Sequence, residues 1–243
     1  MSSPAAMMNA KVASDDARTC ELASALKERT RPLHGRAERS GIIADILNGR
    51  VSRFGYALLL RNLLFVYQQL EAGLDRHRFD RSVLGVARPE VYRSGALASD
   101  LAQLWGDEWE RALPLLPAGE RYGRQIMRVT DDARARLVAH AYVRYLGDLN
   151  GGQIIRRILV RSLGLKACCL AFYDFPLIGD LRAFKADYRH AINRSAAEMT
   201  DLNGVVEEGA IAFQLNIELS EAAQQAAAGS DNCAKKAPAH CWP

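Results

Sequence analysis

Three short stretches hold side chains whose types and spacing suit chemistry. The first is "LKERTRPLHGRAE", residues 26–38. On a helix turning about 100° per residue, Lys27, Arg31, His34 and Glu38 fall at about 0°, 40°, −20° and 20°. Two cations, an imidazole and a carboxylate therefore share one face. The second is "RYLGDLNGGQIIRR", residues 144–157. Gly147 and Gly151 are four apart and share a face, with Gly152 beside them, Asp148 next to the stripe and Gln153 one position past it. Each glycine inside a helix costs roughly 1 kcal/mol relative to alanine, so either the helix breaks here or something needs the backbone bare. The third, "LRAFKADYRHAIN" at 181–193, sets Lys185 and Arg189 four apart.

Each stretch alone has a plain reading. The glycines suit close helix–helix packing, and the cationic pairs suit solvated faces. A second reading of the glycines is a backbone laid flat against a planar ligand. Taken together, the stretches supply an imidazole for a Lewis-acidic centre, cations for an anionic edge and a flat wall. A metal macrocycle with carboxylate arms meets all three demands. Heme needs an axial imidazole and cations for its propionates.

The elements that must position these groups are helical. The chain has 243 residues, 49% hydrophobic and 25% charged, enough for a substantial core. Runs rich in Val, Ile and Thr are few, and no period-2 strand pattern stands out. We expect a single all-α domain of about seven to nine helices over residues 19–226, with a disordered leader at 1–18 and a disordered tail at 227–243. Pro32 predicts an interruption between Glu21 and Leu47, with Thr30 capping the restart. Gly49 is a candidate helix terminator and Ser52 a candidate cap for a helix over 52–75. Residues 76–90 read as a loop. Helices follow at about 94–104, 106–113 and 117–129, then a long one over 132–163 starting at Asp131 or Asp132. A non-helical turn region comes next, and two last helices span 180–198 and 203–226.

The net charge is +4, with 32 basic and 28 acidic residues. That is mildly basic, without the strong bias of a nucleic-acid binder, and it suits an anionic ligand or an acidic partner. The five cysteines are odd in number and lack Cys-x-x-Cys spacing, as in a cytoplasmic protein rather than a disulfide scaffold. The N-terminus shows no cationic region followed by an apolar run. The most apolar segment, "YALLLRNLLFVY" at 56–67, is short and holds Arg61 and Asn62, so no membrane span is expected.

"LKERTRPLHGRAE" and "AHAYVRYLGDLNGGQIIRRIL" (139–159) resemble the proximal and distal helices of the heme oxygenase family. The similarity continues through "LAFYDFP", "FKADYRHAIN" and "AFQLNIEL", covering roughly residues 20–222. The resemblance implies an all-helical fold with heme between those two helices. By it, His34 is the axial iron ligand, with Glu38 on the same face. Gly147, Gly151 and Gly152 form the bare wall, and Asp148 holds a distal water network with Tyr142 and Arg144 as distal polar groups. Lys27, Arg31, Lys185 and Arg189 fall where the family holds the propionates, and Phe213 and Asn216 at pocket-side positions of the last helix. Asn150 stands where the family usually has serine.

The activity implied is O2- and reductant-dependent opening of heme, at the α-meso carbon, to biliverdin, CO and ferrous iron. Heme is then both substrate and cofactor. The partners implied are a soluble electron donor such as ferredoxin or a flavoprotein reductase, and a bilin-accepting protein. A non-catalytic heme-binding or sensing protein on the same fold is the alternative.

Overall fold

The computed structural model describes residues 22–229. Among them there are no strands, and ten α-helices pack together. They are α1 (Leu22–Arg39), α2 (Gly41–Leu47), α3 (Arg53–Arg76), α4 (Ser94–Trp105), α5 (Trp109–Ala112), α6 (Pro117–Asp132), α7 (Leu137–Ala141), α8 (Gly147–Leu163), α9 (Leu181–Ser195) and α10 (Leu202–Ala228). A π turn, Tyr142–Leu146, joins α7 to α8 without a break. The count exceeds the expected seven to nine because the first and the distal helical stretches are each divided. The leader expected at 1–18 lies outside the described residues, as does the tail expected at 227–243 from residue 230 on; α10 itself carries helix to Ala228, two residues into that expected tail.

α3 is the central element. Tyr56, Leu60, Val66, Tyr67, Leu70 and Leu74 are fully out of solvent, and α3 packs against α4, α6 and α10. α1 lies along α10, and α2 crosses α10 as well. That crossing needs a glycine. Gly41 has φ +61°, and a Cβ there would sit 2.4 Å from the backbone carbonyl carbon of Ser220.

Several expected boundaries hold. Ser52 Oγ accepts the Gly55 N–H at 3.1 Å and caps α3, and Gly49 takes φ +67° just past α2. Others need correction. α1 runs straight through Pro32 and ends at Arg39. Pro32 is exposed, as is Glu28, whose carbonyl the proline leaves without its usual helical donor. Thr30 is not a cap; it sits mid-helix, buried, with its hydroxyl donating to the Leu26 carbonyl at 2.7 Å. Asp131 and Asp132 end α6 rather than starting the distal helix. The segment expected at 106–113 forms only the single turn α5, because Gly106 at φ +80° terminates α4. The turn region at 167–179 holds two 3-10 turns, Ala167–Cys169 and Ala171–Tyr173. No described helix is long and apolar enough to cross a membrane.

Candidate active site

α1, the π turn, α8 and α10 enclose a cleft of two adjoining compartments. The inner one has about 830 Å³ of empty space and the outer about 1070 Å³, part of each open to solvent. His34, Glu38, Val143, Gly147 and Phe213 line both. The inner compartment is apolar through Leu59, Leu63, Phe172 and Ile155, and ends at Arg144, Asp148 and Asn216. Lys27, Arg31, Tyr142, Asn150 and Gly151 edge the outer one.

The glycine stripe now has a physical explanation. A Cβ built on Gly147 or Gly151 meets nothing within 4 Å. These two glycines are therefore not a helix-packing seam; they leave bare backbone facing the cleft. Gly152 differs, since its Cβ would lie 3.3 Å from Tyr173 Cδ1. It admits the aromatic wall behind the stripe.

The π turn sets the register of this wall. Tyr142 and Gly147 both edge the outer compartment, although residues five apart on an α-helix point about 140° away from each other. One π turn, with its i→i+5 hydrogen bond, brings them to a common face.

Opposite the stripe, α1 presents His34. Its imidazole is largely exposed, with Nδ1 3.3 Å from Glu38 Oε1 and its ring 5.8 Å from that of Phe213. Arg31 pairs with Glu28 at 3.1 Å on the outer rim. Lys185 and Arg189 do not line either compartment. Lys185 Nζ donates to Asn150 Oδ1 at 3.1 Å, which places it on the α8 rim, and Arg189 Nη1 donates to the Lys185 carbonyl at 3.4 Å.

At the inner end the polar groups form one network. The Tyr67 hydroxyl donates to Asp148 Oδ2. Arg144 donates through Nε to the Tyr67 oxygen at 3.0 Å, through Nη1 to Asn216 Oδ1, and through Nη2 to Asp148 Oδ1 at 3.4 Å. Burial pushes the Asp148 carboxyl above its ordinary range, while Arg144 and the Tyr67 hydrogen bond pull it back. Burial also raises the Tyr67 phenol well above its usual value, opposed by Arg144. Burial alone would lower the Arg144 guanidinium, but Tyr67 and Asp148 outweigh it and raise it further. The result is a carboxylate held by a permanent cation at the end of an apolar cleft, suited to ordering water and passing a proton.

Sequence reasoning missed Tyr67, Phe172 and Tyr173 as parts of this site. A single tyrosine near the end of the apolar run 56–67 was the available signal for the first. The other two reach the cleft from a 3-10 turn, which leaves no periodic pattern.

The family model for heme oxygenase matches residues 20–222. Heme oxygenase 1 of Pongo abelii is 38% identical over 210 residues, covering 84% of this chain and 72% of that one. Heme oxygenase 1 of the cyanobacterium Synechocystis is 35% identical over 198 residues, covering 82% of each. The crystal structure of the Synechocystis protein in complex with heme superposes with a TM-score of 0.82 at 32% identity, covering 87% of this chain and 96% of that one. A match along nearly all the described residues, with one fold shared throughout, shows that this chain belongs to the heme oxygenase family of enzymes.

Proposed function

We propose that the cleft binds heme and that the chain opens it oxidatively to biliverdin, CO and ferrous iron, at the α-meso carbon. The observation that carries this reading is that His34 and Gly147 line the same two compartments, an imidazole on α1 and side-chain-free backbone on α8. The residues fit the group. A planar ring needs a wall without Cβ atoms, and Gly147 and Gly151 provide one. Its apolar face needs carbon, which Leu59, Leu63 and Phe172 supply. Its propionates need cations, and Lys27 and Arg31 edge the outer compartment.

Heme, when bound, supplies the iron that takes up O2 and the ring carbon that is oxidised. The protein does the rest. His34 would hold the iron, and an imidazole lacks the electron push of a thiolate. Glu38 stands beside His34 Nδ1 to orient the ring. Lys27 and Arg31, with Lys185 on the α8 rim and Arg189 beside it, would fix the rotation of the propionate edge. That rotation selects which meso carbon is presented.

Gly147 and Gly151 would leave the adjoining ring face free of side chains. Asp148, held by Tyr67 and Arg144, orders the water that delivers a proton. Asn216 anchors Arg144, and Tyr142 closes the outer edge. A soluble cytoplasmic donor, ferredoxin or a flavoprotein reductase, delivers electrons, its acidic surface matching the mildly basic chain. A bilin-accepting protein then takes the product.

Titration of the protein with hemin, followed by reduction under O2, tests this reading. A Soret band that gives way to bilin absorbance supports it. A Soret band that persists on reduction would favour a heme carrier, and no band at all would remove heme from the account.

A further inference from the structure

The aromatic wall of the cleft does not position itself. Phe172 and Tyr173 sit in the three-residue 3-10 turn Ala171–Tyr173, whose own backbone contributes only short bonds such as Tyr173 N–H to the Leu170 carbonyl at 3.1 Å. Three side chains from outside hold it. Asp100 of α4, fully out of solvent, accepts the Ala171 N–H on Oδ1 at 2.8 Å and the Phe172 N–H on Oδ2 at 2.9 Å. Gln153 of α8 donates to the Tyr173 carbonyl at 2.7 Å. Arg93 donates to the Asp174 carbonyl, with its guanidinium 4.1 Å over the Phe175 ring.

The arrangement links the distal helix, through Gln153, to the wall that its own Gly152 touches. Burying a carboxylate costs free energy that an apolar residue would not. Two amide bonds only partly offset burial here, which pushes the Asp100 carboxyl up to about 6. The backbone this buried acid holds is a wall of the ligand cleft rather than a remote loop.

We propose that Asp100 and Gln153 are positioning residues: by fixing the backbone of residues 171–173 they set how far Phe172 and Tyr173 project into the cleft, and so how a bound ring is seated. This rests on the heme reading above. Neither side chain lines the cleft, so both act through the turn. In Asp100→Asn, one amide N–H faces an NH2 instead of an oxygen. In Gln153→Ala, one carbonyl loses its donor while the exposed helix face is otherwise unchanged.

The test titrates wild type, Asp100→Asn and Gln153→Ala with hemin, then compares bilin isomer ratios. Leu74→Ala, a buried truncation outside the cleft, controls for loss of stability. We expect Asp100→Asn to weaken hemin about tenfold and Gln153→Ala several-fold. Both should shift the isomer ratio, and Leu74→Ala should lower the melting temperature without shifting it. If Asp100→Asn fails to fold, Gln153→Ala decides. Wild-type affinity and isomer ratio in the folded variants would overturn the positioning role. A wild type that gives no Soret band would overturn the heme reading instead.

Discussion

Arg144 and Asp148 lie one helical turn apart, with Nη2 3.4 Å from Oδ1, and each side chain is only 10% exposed. A carboxylate so placed is held in one orientation by a cation that also grips Tyr67 and Asn216. Replacing Asp148 by asparagine keeps the shape and removes the proton carrier. We expect Asp148→Asn to bind hemin within a few-fold of wild type and to form bilin about a hundredfold more slowly. Hemin titration and single-turnover bilin formation read the two effects separately. Wild-type turnover would remove Asp148 from the proton path.

Gly151→Ala should move stability and binding in opposite directions. The new methyl meets no atom within 4 Å, and alanine gains roughly 0.5–1 kcal/mol over glycine inside a helix. The ligand-free protein should therefore melt a few degrees higher. The same methyl occupies the space over the ring, so hemin affinity should fall. Thermal melts of the free protein and hemin titrations check both signs. A variant that is less stable yet binds normally would mean that the stripe serves packing.

Asp100 predicts a pH dependence of stability. Its carboxyl is pushed up to about 6 from an ordinary 3.8, chiefly by burial, against the two amide bonds and the charge of Arg93. Tyr56 and Tyr173 are the other titratable groups coupled to it. Between about pH 4 and 6 the folded chain keeps a proton that the unfolded chain releases. The Asp100 contribution is therefore most favourable below that window and falls as pH rises through it. Urea unfolding of wild type and Asp100→Asn at pH 4–7 should give a difference that declines across the window and is flat above it. A difference independent of pH would place the acid in contact with water.

His140 and Glu208 are both fully buried, with Nε2 3.0 Å from Oε1, joining α7 to α10. Gln125 donates to the same carboxylate oxygen at 2.6 Å. Arg136 Nη1, 3.7 Å from Glu208 Oε2, and Gln125 remain when the imidazole is removed, so the loss is that of one buried hydrogen bond, roughly 1–3 kcal/mol. His140→Ala should melt several degrees lower, measured by circular dichroism. A drop of under 2 °C would show that water replaces the imidazole without penalty.

Helix type and most termini were legible because local chemistry writes them: Ser52 as a cap and Gly49 as a stop. Pro32 misled because its cost depends on the burial of the turn it interrupts, and here Pro32 and Glu28 are both exposed. The π turn at Tyr142–Leu146 was invisible because an i→i+5 hydrogen bond adds no residue type of its own. In the site, the α1 and α8 faces were readable from helical spacing, since each is local to one element. Tyr67 was hidden in an apolar run, and its partner Asp148 is 81 positions away in sequence. Phe172 and Tyr173 depend on Asp100, 71 and 72 positions upstream of the amides it accepts, a relation that only the fold supplies.

The spectrum of ferric heme bound to His34→Ala decides whether this imidazole holds the iron. The Soret band of the variant should be shifted and weakened relative to wild type, and added imidazole should restore it. A variant with the wild-type spectrum and affinity, indifferent to imidazole, would contradict the assignment of the iron to His34.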